Sequence, residues 1–361
     1  MRTISICELK VELQSLGVRT GGDKRGRKSG AGPAAGMVLL FDNGSQVNVP
    51  TMSWFVEDSP YSLHPIAEDR FILKYKEEEI TTVAAPPVPR FYSLKTASGI
   101  PYWKIALLHG KDCLSTTVLQ HCIHWNTKDV CKFCAIGLSL REGRTIARKR
   151  PEDLAEVAKH AVELDDVKHV TLTTGSTRDE TRCVKILKDA ASAIKEVTDL
   201  AIHVQLEPLE NTQLFHELKS AGVDTVGIHI ESFDHDVLKV MAPCKAKLGF
   251  DRYIKAWESA VEIFGAGEVS TFIIAGLGES DRSIIEGSAK LASIGVYPFI
   301  VPLRPIPGTP LERFAPPEPA RMLSIYSEVA RLLRDYRISW KTSRAGCVRC
   351  MACSAMGDFE L

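Results

Sequence analysis

From residue 116 to residue 336, short runs rich in Val, Ile and Phe alternate with longer amphipathic stretches, and this alternation limits the fold more than any other feature. Strands are expected over 116–120, 169–173, 200–205, 225–230, 269–275 and 297–303. Helices are expected over 151–164, 180–197, 212–221, 251–264, 283–294 and 319–336. Strands that take turns with helices mark parallel βα units in an α/β fold. Six in a row suit a partial (β/α)6 barrel of the TIM kind, with functional groups where strands end and loops begin. A doubly wound open sheet is the competitor, and periodicity alone does not separate the two.

Ahead of this block, residues 1–100 read as a small N-terminal α+β appendage. It holds an amphipathic helix over 9–16, two strands within 37–49 around Asn43-Gly44, and a strand-rich piece over 71–83. Ala84-Ala85-Pro86-Pro87-Val88-Pro89 forms a stiff connector to a barrel over 101–340, and 341–361 is a Cys-rich C-terminal tail. Residues 20–36, rich in glycine and basic residues, read as a loop. Within it, the run from Gly30 to Gly36 faintly resembles a phosphate-binding turn, but its spacing and Pro33 argue against one.

Lysine plus arginine (45) equals aspartate plus glutamate (45) in these 361 residues, so no net charge draws the chain toward nucleic acid or an anionic membrane. A small-molecule substrate is the expected partner. The start, Met1-Arg2-Thr3-Ile4-Ser5-Ile6-Cys7-Glu8, turns charged too soon for a secretory signal, and no apolar run approaches the ~20 residues of a membrane span. The expected location is cytoplasmic.

In such a reducing compartment ten cysteines point to metal or chemistry rather than disulfides. Cys7, Cys113, Cys183 and Cys244 are scattered and read as buried, inert thiols. The other six form two groups. Just past the first expected barrel strand, Cys122, Cys131 and Cys134 share one loop, where three thiolates can hold an iron–sulfur cube and leave its fourth iron open. Zinc is the rival, with His121, His124 or a distant residue as the fourth ligand. Near the end, Cys347, Cys350 and Cys353 recur every three residues and can hold a second iron–sulfur cluster, zinc again competing.

The loop from Cys122 to Cys134, with Phe133 before its last cysteine, resembles the cluster loop of radical S-adenosylmethionine (SAM) enzymes, although eight residues stand where the family has three. Further points match biotin synthase and its relatives in order. Phe272 to Glu279 resembles the family's G-x-I-x-G-x-x-E element with Phe272 in place of the first glycine, which implies that Ile274, Gly276 and Glu279 lie at the adenine. His229 and Glu231 fall where relatives hold the SAM ribose. Thr173-Thr174-Gly175 stands where the family has Gly-Gly-Glu on the SAM amino group, and Pro305 to Glu312 also resembles the group. A narrower likeness is to radical SAM proteins encoded beside nitrilases in bacterial nitrile-related clusters. It rests on Leu108-His109-Gly110, Thr173-Thr174-Gly175, Ser270-Thr271 with Ala275 to Gly278, and the C-terminal cysteines.

The resemblance implies a radical SAM barrel using a 4Fe–4S cluster and SAM, reduced by a reductase or a flavodoxin/ferredoxin donor. It implies a 5′-deoxyadenosyl radical that attacks a small molecule. A zinc-dependent barrel enzyme and a non-catalytic iron–sulfur electron carrier are the alternatives. Gln205, Glu207 and Arg304, at expected strand ends, are candidates for substrate contacts, whereas His160, His203 and His216 read as ordinary structural residues.

Overall fold

The computed structural model describes residues 4–21 and 36–360; the glycine-rich turn at 30–36, except Gly36, lies outside them. Helix α1 (Ile6–Leu16) starts at a capping box, where Ser5 Oγ accepts from the Glu8 N–H (3.2 Å) and Glu8 Oε2 accepts from the Ser5 N–H (3.0 Å). Its Leu9 and Leu13 join Leu39, Val47, Tyr61 and Leu73 in a separate small core. The sheet beneath holds β1 (Gly36–Leu40), β2 (Gln46–Pro50), β3 (Tyr61–Ala67), β4 (Arg70–Tyr75) and β5 (Glu78–Ala84), in the order β2-β1-β5-β4-β3. The strand-rich piece is therefore a hairpin, β4–β5. Strand β3 was not expected from sequence: Pro65 breaks its pattern, and the protein tolerates that proline because β3 lies at the sheet's edge.

After helix α2 (Tyr102–Ile105) comes the seven-stranded sheet, whose order β12-β11-β10-β9-β8-β7-β6 follows the chain without reversal. Its members are β6 (Leu107–His109), β7 (Cys113–Leu119), β8 (His169–Thr174), β9 (Ala201–Leu206), β10 (Thr225–Ile228), β11 (Val269–Ala275) and β12 (Val296–Pro302). Strands β7 to β12 are parallel and β6 is antiparallel. A doubly wound sheet would reverse its order at a switch point. This one does not, and it curls into a half-barrel, the partial TIM-like α/β fold expected.

The connecting helices are α3 (Ile136–Arg141), α4 (Pro151–Asp165), α5 (Glu180–Lys195), α6 (Leu214–Ser220), α7 (His235–Met241), α8 (Pro243–Leu248), α9 (Phe250–Phe264), α10 (Asp281–Ser293) and α11 (Pro319–Asp335). Proline opens α4 and α11, where a missing N–H costs nothing. The large core includes Val157, Leu187, Phe215, Trp257 and Tyr326, each contributing roughly 1.5–3 kcal/mol on burial. Trp257 also donates its indole N–H to the Ile228 carbonyl (3.0 Å), fixing α9 to β10. Among the described residues no helix is long and apolar enough to cross a membrane.

The last segment is not a free tail. Helix α12 (Gly346–Cys350) and the turn after it are buried in the barrel, with Ala345, Val348, Ala352 and Met356 at most 2% exposed. Ser354 Oγ donates to the Ile300 carbonyl of β12 (2.6 Å), and the Gly346 N–H donates to His169 Nδ1 (3.1 Å). The appendage holds this segment from the other side: the Asn48 N–H donates to the Ala352 carbonyl (2.6 Å) and Gln46 Nε2 to that of Cys350 (2.7 Å).

Candidate active site

The loop carrying Cys122, Cys131 and Cys134 leaves the C-terminal end of β7 and folds as successive turns. The Trp125 N–H donates to the Cys122 carbonyl (3.0 Å), and the Cys134 N–H to that of Cys131 (3.0 Å). Backbone bonds fasten the loop to its surroundings: Ile123 N–H to the Ser176 carbonyl (3.1 Å), Lys132 N–H to that of Met241 (2.8 Å) and the Cys244 N–H to that of Asp129 (3.3 Å). The extra length is used for packing, because Trp125 lies on Gly137, where an added Cβ would come within 2.3 Å of the indole.

Helix α8 brings two residues to this loop that gave no signal in the sequence. Cys244 Sγ lies 3.4 Å from Cys131 Sγ, so this scattered cysteine is not isolated. Lys245 is half-buried, its ammonium donating to Glu231 Oε1 (2.9 Å) and to the His229 carbonyl. Burial opposes its charge, yet Glu231 and the neighbouring Tyr253 and Cys131 hold its pKa well above the usual lysine value. Burial pushes Cys134 up to about 11, and Cys131 is raised by its bond to Cys244 and by burial.

The two residues expected at the ribose part company. Glu231 has φ of 74° and exchanges backbone bonds with Phe272 and Ile274; its Oε2 is buried and accepts no hydrogen bond. His229 lies lower in the barrel, over Gly227, stacked on Phe272 at 4.2 Å. Its Nδ1 accepts from the Phe272 N–H (3.1 Å), which leaves the proton on Nε2, buried and without a partner. Burial, Lys245 and His203 hold the ring neutral by lowering its pKa far below the usual value.

At the adenine element, Gly276 and Gly278 take φ of 107° and 116°, which favour glycine. Glu279 is bonded within this element. Its carboxylate accepts from the Gly276 N–H (2.8 Å), the Leu277 N–H (2.9 Å) and Arg321 (2.9 Å), so it shapes the turn. Phe133 and Ile274, by contrast, meet Leu277, Met241 and Leu303 in one apolar wall beside the cysteine loop.

The end of β8 divides its residues between two faces. Thr173 donates to Thr117 Oγ1 (2.9 Å), while Thr174 Oγ1 lies 3.2 Å from Cys183 Sγ on α5. Gly175 sits under the cysteine loop, where any Cβ would come within 2.0 Å of the His121 carbonyl oxygen. No side chain fits there. Beside it opens a cavity of about 780 Å³, lined by Ile123, Gly175, Ser176, Glu207, Cys244 and Arg252 among others. Glu207 arrives from the adjacent β9 and accepts from Ser176 Oγ (2.7 Å).

The C-terminal cysteines occupy a different place. Cys347, Cys350 and Cys353 line a smaller cavity with His109, Gly110, Thr171, Phe299 and a fourth cysteine, Cys113 of β7, so Cys113 is not an isolated thiol. Gln205 is committed to this region, its amide lying 3.6 Å from Cys347 Sγ. Arg304 is held by Asn48, donating to its carbonyl (2.8 Å) and its side chain. Burial, helped by Cys353, pushes Cys350 up to about 12. Among the described residues no three His, Cys, Asp or Glu side chains converge as a single-ion site. A cube binds each thiolate through a different iron and so asks for a wider spacing.

Residues 126–287 match the family model described as Radical SAM superfamily. Among curated proteins, bacteriochlorophyllide c C-7(1)-hydroxylase of Chlorobaculum limnaeum is 23% identical over 351 residues, 91% of this chain and 85% of that one. Methylornithine synthase has a similar solved structure (TM-score 0.48, 17% identity, 74% of this chain and 78% of that chain). So has a radical SAM methyltransferase from Sphaerobacter thermophilus (TM-score 0.48, 14% identity, 77% and 75%).

Proposed function

We propose that this chain, a radical SAM enzyme, holds its 4Fe–4S cluster on Cys122, Cys131 and Cys134 and binds SAM across the C-terminal ends of its strands. The observation that carries the reading is the placement of three cysteines at the end of the first parallel strand, next to buried polar atoms that lack partners in the protein. When bound and reduced, the cluster supplies the electron that cleaves SAM to methionine and a 5′-deoxyadenosyl radical, which takes hydrogen from the substrate.

The chain's own residues bind and orient. Glu207 accepts from the SAM ammonium in the cavity beside Gly175, because a carboxylate cannot stand at position 175 itself. Glu231, with Oε2 free, accepts from a ribose hydroxyl, and Lys245 holds its Oε1 (2.9 Å). Phe133, Ile274 and Leu277 cover the adenine and exclude water, with Glu279 and Gly276 shaping the turn. His229 offers its Nε2–H to a small-molecule substrate inside the barrel.

The name of the hydroxylase relative describes a reaction that replaces a carbon–hydrogen bond, which fits hydrogen abstraction from carbon. We also group the chain with the nitrilase-linked radical SAM proteins on sequence resemblance, with a flavodoxin, ferredoxin or reductase as electron donor in the cytoplasm. Single Cys122→Ala, Cys131→Ala and Cys134→Ala variants test the reading. Each is expected to lose 5′-deoxyadenosine formation while melting at the wild-type temperature; full activity in all three would overturn it.

A further inference from the structure

We infer that the cavity at the open edge of the barrel is a closed, four-thiolate iron–sulfur site, with Cys113 of β7 joining Cys347, Cys350 and Cys353 as the fourth ligand. Three observations carry it. All four cysteines line one cavity, and all four are free thiols. The hairpin β6–β7 is shaped to receive the C-terminal segment: His109 pairs with Cys113 across it, and Gly110, at φ of 61°, turns tightly between them. A Cβ on Gly110 would come within 2.7 Å of Cys350 Sγ, so glycine is what lets the thiol approach.

The third observation is how firmly the segment is held. Ordinary buried cysteines need only apolar packing. Here each side of the segment is fixed by polar bonds, from Gln46 and Asn48 of the appendage, His169 of β8 and Ile300 of β12. Gln205 and Gln46 also direct amide donors at the sulfurs of Cys347 (3.6 Å) and Cys350 (4.0 Å). Amide donors placed at the sulfurs orient them as ligands.

Transfer of a preformed cube onto these thiols releases one proton from each and consumes no oxidant. With all four irons occupied by protein, the site has no position for a substrate, and its chemistry is to store or relay an electron. The inference adds a second cluster to the proposed function and stands separately from it.

The test uses the full chain carrying Cys122→Ala, Cys131→Ala and Cys134→Ala, so that any cluster reports on this site alone. After anaerobic reconstitution about four irons per chain are expected, with an EPR signal on dithionite reduction. Adding Cys113→Ala should lower the count to about three, with the EPR signature of a three-iron cluster. Adding Cys113→Ser should keep the cube and shift its spectrum. A parent without iron overturns the inference, and so does a Cys113→Ala chain with unchanged iron and EPR. Loss of iron on His109→Ala but not on Cys113→Ala would also overturn it, by naming His109 as the ligand. If Cys113→Ala does not fold, an unchanged spectrum in Cys113→Ser decides against it. Formation of 5′-deoxyadenosine by the wild-type chain reports on the first cluster independently.

Discussion

The sulfurs of Cys131 and Cys244 stand 3.4 Å apart, although 113 residues separate them in sequence. Two thiolates that bind different irons of one cube cannot stay this close, so only one of the pair serves the cluster. Cys131 lies on the loop with Cys122 and Cys134, and Cys244 belongs to α8 beside it. Cys244→Ala should therefore retain iron and 5′-deoxyadenosine formation, whereas Cys131→Ala loses both. Iron assays on the two reconstituted variants check this.

Glu207, just past the end of β9, lines the cavity beside Gly175, where no Cβ fits. Removing its charge should weaken SAM binding by about 1.5–3 kcal/mol, or roughly tenfold and more. Calorimetry on Glu207→Gln, with SAM and with its analogue lacking the amino group, measures this. The variant should lose affinity for SAM and bind the analogue as wild type does; equal losses for both would point elsewhere.

Lys245→Met should destabilise the fold by about 3–5 kcal/mol, because Glu231 would be left as a buried charge without its partner. The double variant Lys245→Met/Glu231→Gln should recover much of the loss. Urea unfolding of the three chains gives the comparison.

His203 is fully buried, and burial, with His169 nearby, lowers its pKa to about 3. An unfolded histidine takes up a proton near pH 6.5. The unfolded chain then binds more protons than the folded one between those values, so stability falls as pH drops from about 6.5 toward 3, by roughly 1.4 kcal/mol per unit. Gly346 packs against the His203 ring, so the C-terminal segment should loosen with it. Urea unfolding at pH 7 and pH 5 should show a smaller drop in His203→Gln than in wild type.

The alternation of strands and helices was legible because β8 to β12 and their longer helices each carry a full apolar pattern. Helices α7 and α8 were not. Leu238 and Met241 are the buried residues of one and Cys244 of the other, too few to display a period. Strand β3 was hidden by Pro65. At the site, Cys122, Cys131 and Cys134 were legible from their spacing, which local chain geometry dictates. Cys113, Cys244, Lys245 and the carboxylate of Glu207 gain meaning only from neighbours far away in sequence. The three donors that Glu279 accepts from within the protein, one of them Arg321 from 42 residues away, leave no mark on its local motif.

The most direct test of the central claim is 5′-deoxyadenosine formation by the anaerobically reconstituted wild-type chain with dithionite and SAM, measured with its iron and zinc content. 5′-Deoxyadenosine is expected, with about four irons per chain from the first cluster and about eight with the second. A chain that takes up zinc, binds no iron and leaves SAM intact would contradict that claim.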